Sequence, residues 1–153
     1  MKTTHKPITI LYVDDDPEDR MLVQDAWRES RLANELHCVT DGEELMEYLH
    51  RRGEYAALAD APMPGMILLD LNMPRKDGRE ALREIKADPR LRSIPTVILT
   101  TSKAEEDILR AYDLGVNSFI VKPVSFQSLV DLTLAFSKYW FEIVELPPTE
   151  EAA

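Results

Sequence analysis

Five short apolar runs divide the sequence and constrain its fold more than any other feature. They cover residues 8–13, 36–39, 66–69, 96–99 and 118–121, and they predict strands that start near residues 8, 36, 66, 96 and 117. Each run is four to six residues long and rich in aliphatic or β-branched residues, without strict alternation of apolar and polar positions. Such runs are typical of strands that are buried on both faces of a parallel sheet.

Segments with helical spacing of apolar residues follow the runs, over 17–32, 41–50, 77–87, 104–114 and 125–141. Strands that alternate with helices predict a parallel sheet with right-handed crossovers and helices on both faces. A parallel sheet of this size favours the flavodoxin-like strand order 2-1-3-4-5. The predicted fold is therefore an α/β, flavodoxin-like (βα)5 three-layer sandwich.

Signals for the starts of helices agree with this division. Asp16 stands before Pro17, which predicts a helix N-cap followed by a proline at the first helical position. Asp19 falls in the first turn of that helix, where the helix dipole favours negative charge. Asp41 and Gly42 predict the start of the second helix.

Composition and charge limit the classes of function. The net charge is −10 and the 18 lysines and arginines are scattered, so no clustered basic face indicates nucleic-acid binding. The single cysteine, Cys38, excludes an internal disulfide and favours a reducing compartment. No apolar run approaches the roughly 20 residues that span a bilayer, and residues 1–7 are too polar for a signal peptide. We expect a cytoplasmic protein with neither nucleic acid nor membrane as a partner.

Polar residues stand where the predicted strands end. They are Asp14 and Asp15 after the first strand, Asp70 after the third, Thr100 after the fourth and Lys122 after the fifth. Each of them alone has an ordinary structural explanation, such as a surface charge or a helix cap. Because ligands of open parallel sheets bind outside the carboxyl ends of the strands, the combination predicts a functional site.

The residue types indicate phosphoryl chemistry. Mg²⁺ binds one or two carboxylates together with waters and phosphate oxygens, so Asp15 and Asp70 can hold it directly and Asp14 through water. A carboxylate can also accept a phosphoryl group as an aspartyl phosphate. Phosphoryl transfer depends mainly on positioning and on charge neutralisation, which Lys122 and the Thr100 hydroxyl can provide.

These motifs resemble the receiver domain of two-component response regulators: DD after the first strand, DLNMP after the third, TT after the fourth and KP after the fifth. The resemblance covers about residues 7–141. It implies that Asp70 is the phosphoacceptor and that Asp14 and Asp15 form an acidic pair, with Asp15 a direct Mg²⁺ ligand. It also implies that Asn72 coordinates Mg²⁺ through its backbone carbonyl.

The resemblance extends to the switching residues. It implies that Thr100 and Lys122 bind the phosphoryl group and that Phe119 occupies the aromatic switch position. The Lys122–Pro123 peptide is often cis in this family. Residues 142–153 would form a C-terminal arm and acidic tail with no effector domain, which is the organisation of a stand-alone regulator.

The stretches APMPGMILLDLNMPRKDG and YWFEIVELP resemble the response regulators that accompany bacterial and cyanobacterial phytochromes. This resemblance implies a histidine kinase partner, namely a bacteriophytochrome, and a homodimer formed through the C-terminal helix and arm. The apolar residues of 142–146 favour an arm that faces a partner. A strap folded back on the same subunit is the alternative.

The expected function is a phosphoryl-accepting switch that catalyses only its own phosphorylation and dephosphorylation. One alternative is a pseudo-receiver, a scaffold that works without phosphorylation, although the complete set of site residues argues against it. The other is a haloacid-dehalogenase-type phosphatase with an aspartate nucleophile. That class needs an acid two residues after the nucleophile to protonate the leaving group, and Asn72 cannot do so.

Overall fold

A computed structural model of the chain describes residues 7–73, 76–101 and 103–148. Within these ranges the strands form one parallel sheet in the order β2-β1-β3-β4-β5. The strands are β1 Ile10–Val13, β2 Leu36–Val39, β3 Met66–Leu69, β4 Thr96–Thr100 and β5 Ser118–Val121. The predicted sheet and its flavodoxin-like order are confirmed.

Helices connect the strands as the periodicity predicts. They are α1 Pro17–Glu29, α2 Gly42–His50, α3 Gly78–Ala87, α4 Glu105–Asp113 and α5 Phe126–Ser137. A 3-10 segment, Gly53–Leu58, lies between α2 and β3, and a π-helical segment, Lys138–Ile143, continues α5. In the part of the chain that the structure describes, no helix combines the length and the apolar character needed to cross a bilayer.

The first helix is shorter than its apolar pattern predicts. It ends at Glu29 instead of residue 32, because Arg31 adopts a left-handed backbone with φ of 54°. That conformation is incompatible with a continuing right-handed helix. Leu32 still packs against the core from the following loop. The prediction that this apolar residue is buried is therefore correct, but the prediction that it belongs to the helix is wrong.

The sheet divides the apolar core into two layers. Leu11 and Val13 of β1 belong to the layer covered by α2, α3 and α4, whereas Ile10 and Tyr12 belong to the layer under α1 and α5. Successive strand side chains point to opposite faces, which explains this alternation. Trp27 of α1 lies in the second layer.

Aspartate side chains cap the first two helices of the fold. Asp16 accepts a hydrogen bond from the Glu18 backbone N–H at 2.9 Å, and Asp41 accepts one from the Glu44 N–H at 2.8 Å. The predicted N-cap at Asp16 and the predicted helix start at Asp41 and Gly42 are therefore confirmed. A cap of this kind satisfies a backbone donor that has no partner within the helix.

The C-terminal segment returns to its own subunit. Leu146 packs against the layer under α1 and α5, and Pro147 and Pro148 line a small cavity beside Pro95. Leu146 therefore packs as the strap alternative predicts, because it gains apolar burial within the same chain. The partner-facing arm stays a prediction. Ile143 stays 64% exposed.

Gly78 is required where α3 meets the end of β3. A Cβ atom at this position would lie 2.3 Å from the Asp70 carbonyl oxygen and 2.8 Å from the Leu71 Cα. We expect Gly78→Ala to lower the free energy of unfolding by about 1–3 kcal/mol, measured by urea denaturation. It should also shift the backbone amide resonances of Asp70 and Leu71.

Gly53→Ala is the control for this prediction. A Cβ atom at position 53 would have no atom within 4 Å, so the loss of stability arises from the φ of +57° alone. It should reduce stability without moving the Asp70 resonance. An unshifted Asp70 resonance in the Gly78→Ala protein would contradict the close approach.

Candidate functional site

Backbone hydrogen bonds extend the sheet past the strand ends and fix the residues that follow them. The residue that follows β1, β3 or β5 still donates its backbone N–H to a neighbouring strand, so its side chain extends from an ordered backbone. The bonds are Asp14 N–H to the Val39 carbonyl at 3.1 Å, Asp70 N–H to the Val13 carbonyl at 3.0 Å and Lys122 N–H to the Thr100 carbonyl at 2.8 Å. The predicted site residues therefore converge on one edge.

Asp70 lies at the centre of this edge and is only 7% exposed. Its Oδ1 accepts a hydrogen bond from the Thr100 hydroxyl at 2.6 Å, and its Oδ2 lies 3.9 Å from Lys122 Nζ. Burial raises the pKa of Asp70, because desolvation disfavours the carboxylate; the Thr100 hydrogen bond and the Lys122 charge oppose that effect only in part. The two oxygens of Asp70 thus have different environments.

Lys122 is a buried ammonium that carboxylates surround. Its Nζ donates to Asp14 Oδ2 and, at 3.0 Å, to Asp19 Oδ2, while the side chain is 8% exposed. Burial lowers the pKa of a lysine, but the Asp14 hydrogen bond and the charges of Asp14 and Asp70 outweigh burial and leave the pKa of Lys122 raised. The amine is therefore charged at neutral pH.

Asp14 is fully buried, and both of its carboxylate oxygens accept hydrogen bonds. Oδ1 accepts the Asp16 backbone N–H at 3.0 Å, and Oδ2 accepts the Tyr12 hydroxyl at 2.6 Å as well as Lys122. The Arg20 guanidinium donates to the Asp14 carbonyl at 2.8 Å. These contacts hold Asp14 in one orientation.

Asp14, Asp15 and Asp70 form a group of carboxylates that fits a hard divalent cation. One oxygen from each residue lies within 4.8 Å of the others. Opposite ligands of an octahedral Mg²⁺ ion lie about 4.2 Å apart, since each Mg–O bond is about 2.1 Å. Asp15 is exposed, unlike Asp14 and Asp70, so the group opens to solvent on its side.

The remaining predicted residues lie around this centre. Asn72 is exposed, and its backbone N–H donates to Asp70 Oδ1 at 3.4 Å; the metal-binding role of its carbonyl stays a prediction. Phe119 is half-buried against the layer under α2, α3 and α4. The Lys122–Pro123 peptide is trans, not cis as the resemblance suggested, and trans is the form that most X–Pro bonds favour.

Two contacts of the site were missed by reasoning from sequence. The sequence predicts that Tyr12 is a strand residue of the core and that Asp19 is a favourable charge in the first turn of a helix. The spacing of Tyr12 offered a signal for its contact. Residues 12 and 14 are two apart on a strand and therefore lie on the same face, where the Tyr12 hydroxyl can reach the Asp14 carboxylate. No local pattern indicates that Asp19 faces Lys122.

The convergence of strand-end side chains on a 2-1-3-4-5 parallel sheet is the architecture of receiver domains, the class that the sequence resemblance indicated. Residues 10–133 match the response regulator receiver domain family, and the chain belongs to that family.

Similar proteins span nearly the whole chain. Response regulator Rcp1 of Synechocystis sp. is 41% identical over 144 residues, which are 94% of this chain and 96% of Rcp1. The crystal structure of the phosphorylated cyanobacterial phytochrome response regulator RcpA is 43% identical with a TM-score of 0.84, covering 93% of this chain and 99% of RcpA. The Mn²⁺-bound structure of Rcp1 is 42% identical with a TM-score of 0.82, covering 93% of this chain and 100% of Rcp1.

Neighbouring aspartates at this edge should respond differently to substitution. We expect Asp15→Ala to abolish Mg²⁺ binding in isothermal titration calorimetry, because a carboxylate of the metal group is removed. We expect Asp16→Ala to keep Mg²⁺ binding, since its backbone N–H still reaches Asp14, and to lose about 1 kcal/mol of unfolding free energy with the helix cap. Equal loss of Mg²⁺ binding in both proteins would contradict this division.

Proposed function

We propose that the chain is a phosphoryl-accepting switch of a two-component system, phosphorylated on Asp70 in the presence of Mg²⁺. The observation that carries the proposal is the position of Asp70, which lies between the Thr100 hydroxyl and the Lys122 ammonium beside the Asp14 and Asp15 carboxylates. Chemistry of this kind requires a nucleophile and charge-neutralising groups, and the edge of the sheet offers both.

The two oxygens of Asp70 indicate how the reaction would proceed. Oδ1 accepts hydrogen bonds from Thr100 and Asn72, so Oδ2, which faces Lys122, is the proposed nucleophile. Its bond to phosphorus forms as the bond between phosphorus and the donor breaks, and the leaving group departs with that electron pair. Lys122 favours the ionised form of Asp70 that the attack requires.

Carboxylates of Asp14, Asp15 and Asp70 would hold the metal, together with the Asn72 carbonyl. Bound Mg²⁺ supplies neutralisation of the charge on the phosphoryl oxygens. The donor set suits this ion, because all the side-chain ligands are carboxylate oxygens. The Mn²⁺-bound structure of Rcp1 supports a divalent cation in a relative of this chain.

The proposed switch involves Thr100, Lys122 and Phe119. A phosphoryl group brings a charge of about −1.5 to −2 and would draw the Thr100 hydroxyl and the Lys122 ammonium onto its oxygens. Phe119, half-buried on the neighbouring strand, would follow the movement of Thr100. The helix beside it, α4, buries only Ala111, so its surface can change at small cost and be recognised by a partner.

We propose a histidine kinase of the phytochrome class as the phosphoryl donor. The support is the similarity to RcpA, a phytochrome response regulator whose structure is of the phosphorylated form. The acidic balance of this chain, with a net charge of −10, suits a kinase surface with complementary basic residues.

We also propose a homodimer that forms through α5 and the segment after it. Exposed apolar side chains line this part of the chain, namely Leu134, Tyr139 and Ile143. Exposed apolar surface of this kind is typical of protein interfaces. The strap formed by Leu146 and Pro147 packs on its own subunit and leaves these side chains open for a second copy.

Asp70→Asn should abolish labelling by the small phosphodonor acetyl phosphate, because the amide is not a nucleophile for phosphorus. Intact-mass spectrometry with and without Mg²⁺ provides the measurement, and Asp131→Asn, an exposed residue of α5, is the matched control. Labelling that persists in the Asp70→Asn protein would refute the assignment. A wild-type protein that neither binds Mg²⁺ nor takes up label would favour the pseudo-receiver.

Ile143→Glu should convert the dimer to a monomer in analytical ultracentrifugation, because a charge would be buried at the interface. Leu109→Glu on α4 is the matched control, since Leu109 and Ile143 are each 64% exposed. Deletion of residues 142–153 should have the same effect as Ile143→Glu. An unchanged mass after both changes would exclude this surface as the interface.

A further inference from the structure

Tyr12 brings a hydroxyl into the layer under α1 and α5. The residue is fully buried in β1, and its hydroxyl donates to Asp14 Oδ2 at 2.6 Å. Residues 12 and 14 lie on the same face of the strand, so the ring extends along the strand and ends at the carboxylate. A phenylalanine would fill the same core volume without this contact.

We infer that Tyr12 is a positioning residue: it holds the Asp14 carboxylate in its metal-binding orientation and keeps it hydrogen-bonded when Lys122 moves to a phosphoryl group on Asp70. The inference rests on the proposed function, because it assigns a role in the metal and phosphoryl site.

The hydrogen bonds of Asp14 explain why such a residue is needed. Its Oδ1 is occupied by the Asp16 backbone N–H, so Oδ2 depends on Tyr12 and Lys122. Asp14 is 0% exposed, and a solvent water cannot simply replace a lost donor. A buried carboxylate that loses its partners is strongly disfavoured. Tyr12 is therefore the side-chain donor that remains when the lysine leaves.

The position of Lys122 makes this exchange necessary. Its Nζ is bonded to Asp14 and Asp19 but lies 3.9 Å from Asp70 Oδ2. To donate to a phosphoryl oxygen, the ammonium has to shift away from at least one of its carboxylates. Asp19 is partly exposed and can exchange the lysine for water, whereas Asp14 can rely only on the hydroxyl of Tyr12 and on the backbone.

Tyr12 also fixes the orientation of Asp14 before any metal binds, because its hydroxyl donates to Asp14 Oδ2 at 2.6 Å. Partners of metal-binding carboxylates and imidazoles contribute to metal affinity in the same way, by fixing the ligand before the metal arrives.

Tyr12→Phe tests the inference in the full chain, with Tyr48→Phe as the matched control. Tyr48 is also a buried tyrosine, but its hydroxyl lies 3.2 Å from His37 Nδ1, away from the site. The measurements are the Mg²⁺ dissociation constant by calorimetry and the rate of acetyl phosphate labelling at saturating Mg²⁺. Urea denaturation of each variant establishes that it is folded and how stable it is.

We expect Tyr12→Phe to weaken Mg²⁺ binding about tenfold, because Asp14 loses the donor that orients it. Labelling at saturating Mg²⁺ should also slow several-fold, because Lys122 becomes the last side-chain donor to Asp14 Oδ2 and leaves it less readily. A purely structural role of the hydroxyl would reduce stability without this effect at saturating metal. Tyr48→Phe should change neither quantity.

Wild-type affinity and labelling rate in the Tyr12→Phe protein would overturn the inference, and so would equal losses in the two phenylalanine variants. Either result leaves the proposed function intact if the wild type binds Mg²⁺ and is labelled on Asp70. Failure of the wild type in both assays would instead refute the proposed function. The wild-type samples therefore separate the two conclusions.

Discussion

The ammonium of Lys122 among buried carboxylates is the interaction on which the rest of the site depends. Asp14 and Asp70 are 0% and 7% exposed, and the lysine side chain between them is 8% exposed. A buried charge without a partner is costly, and the removal of one member of such a group leaves the others uncompensated. The ammonium of Lys122 therefore offsets the negative charge of the two aspartates that this edge brings together.

The parallel sheet makes this grouping possible from distant parts of the chain. Lys122 and Asp14 are 108 positions apart, yet they contact each other because β1 and β5 end at the same edge. The backbone bonds past the strand ends and the close approach of Gly78 to the Asp70 carbonyl position the side chains further. The parallel sheet thus fixes the backbone, and the functional side chains extend from its carboxyl edge.

Much of this arrangement could be predicted from the sequence, because it follows from local patterns. The apolar runs predicted the strands, and Asp16 and Asp41 predicted the starts of two helices. The polar residues after the runs predicted the candidate site. The contact of Asp19 with Lys122 could not be predicted, because it depends on how α1 faces β5 in space. The packing of Leu146 on its own subunit was one of two alternatives, and the sequence could not decide between them because apolar character does not show which surface will cover a residue.

The hydrogen bonds that the site already contains limit the energy available to the proposed switch. Moving a two-state equilibrium from 1:99 to 99:1 takes about 5.5 kcal/mol, whereas one charge-assisted hydrogen bond contributes roughly 1.5–3 kcal/mol. Thr100 already donates to Asp70 and Lys122 already donates to Asp14, so a phosphoryl group would exchange these bonds and gain only their difference.

Because this gain is small, the proposed switch requires a conformational change that itself costs little free energy. In α4 only Ala111 is buried, and Asp107 at its start is paired with Arg79 of α3 at 2.8 Å. A helix that buries so little apolar surface loses little when it shifts. The loose packing of α4 therefore complements the tightly bonded site, because modest changes at Asp70 can be sufficient to move it.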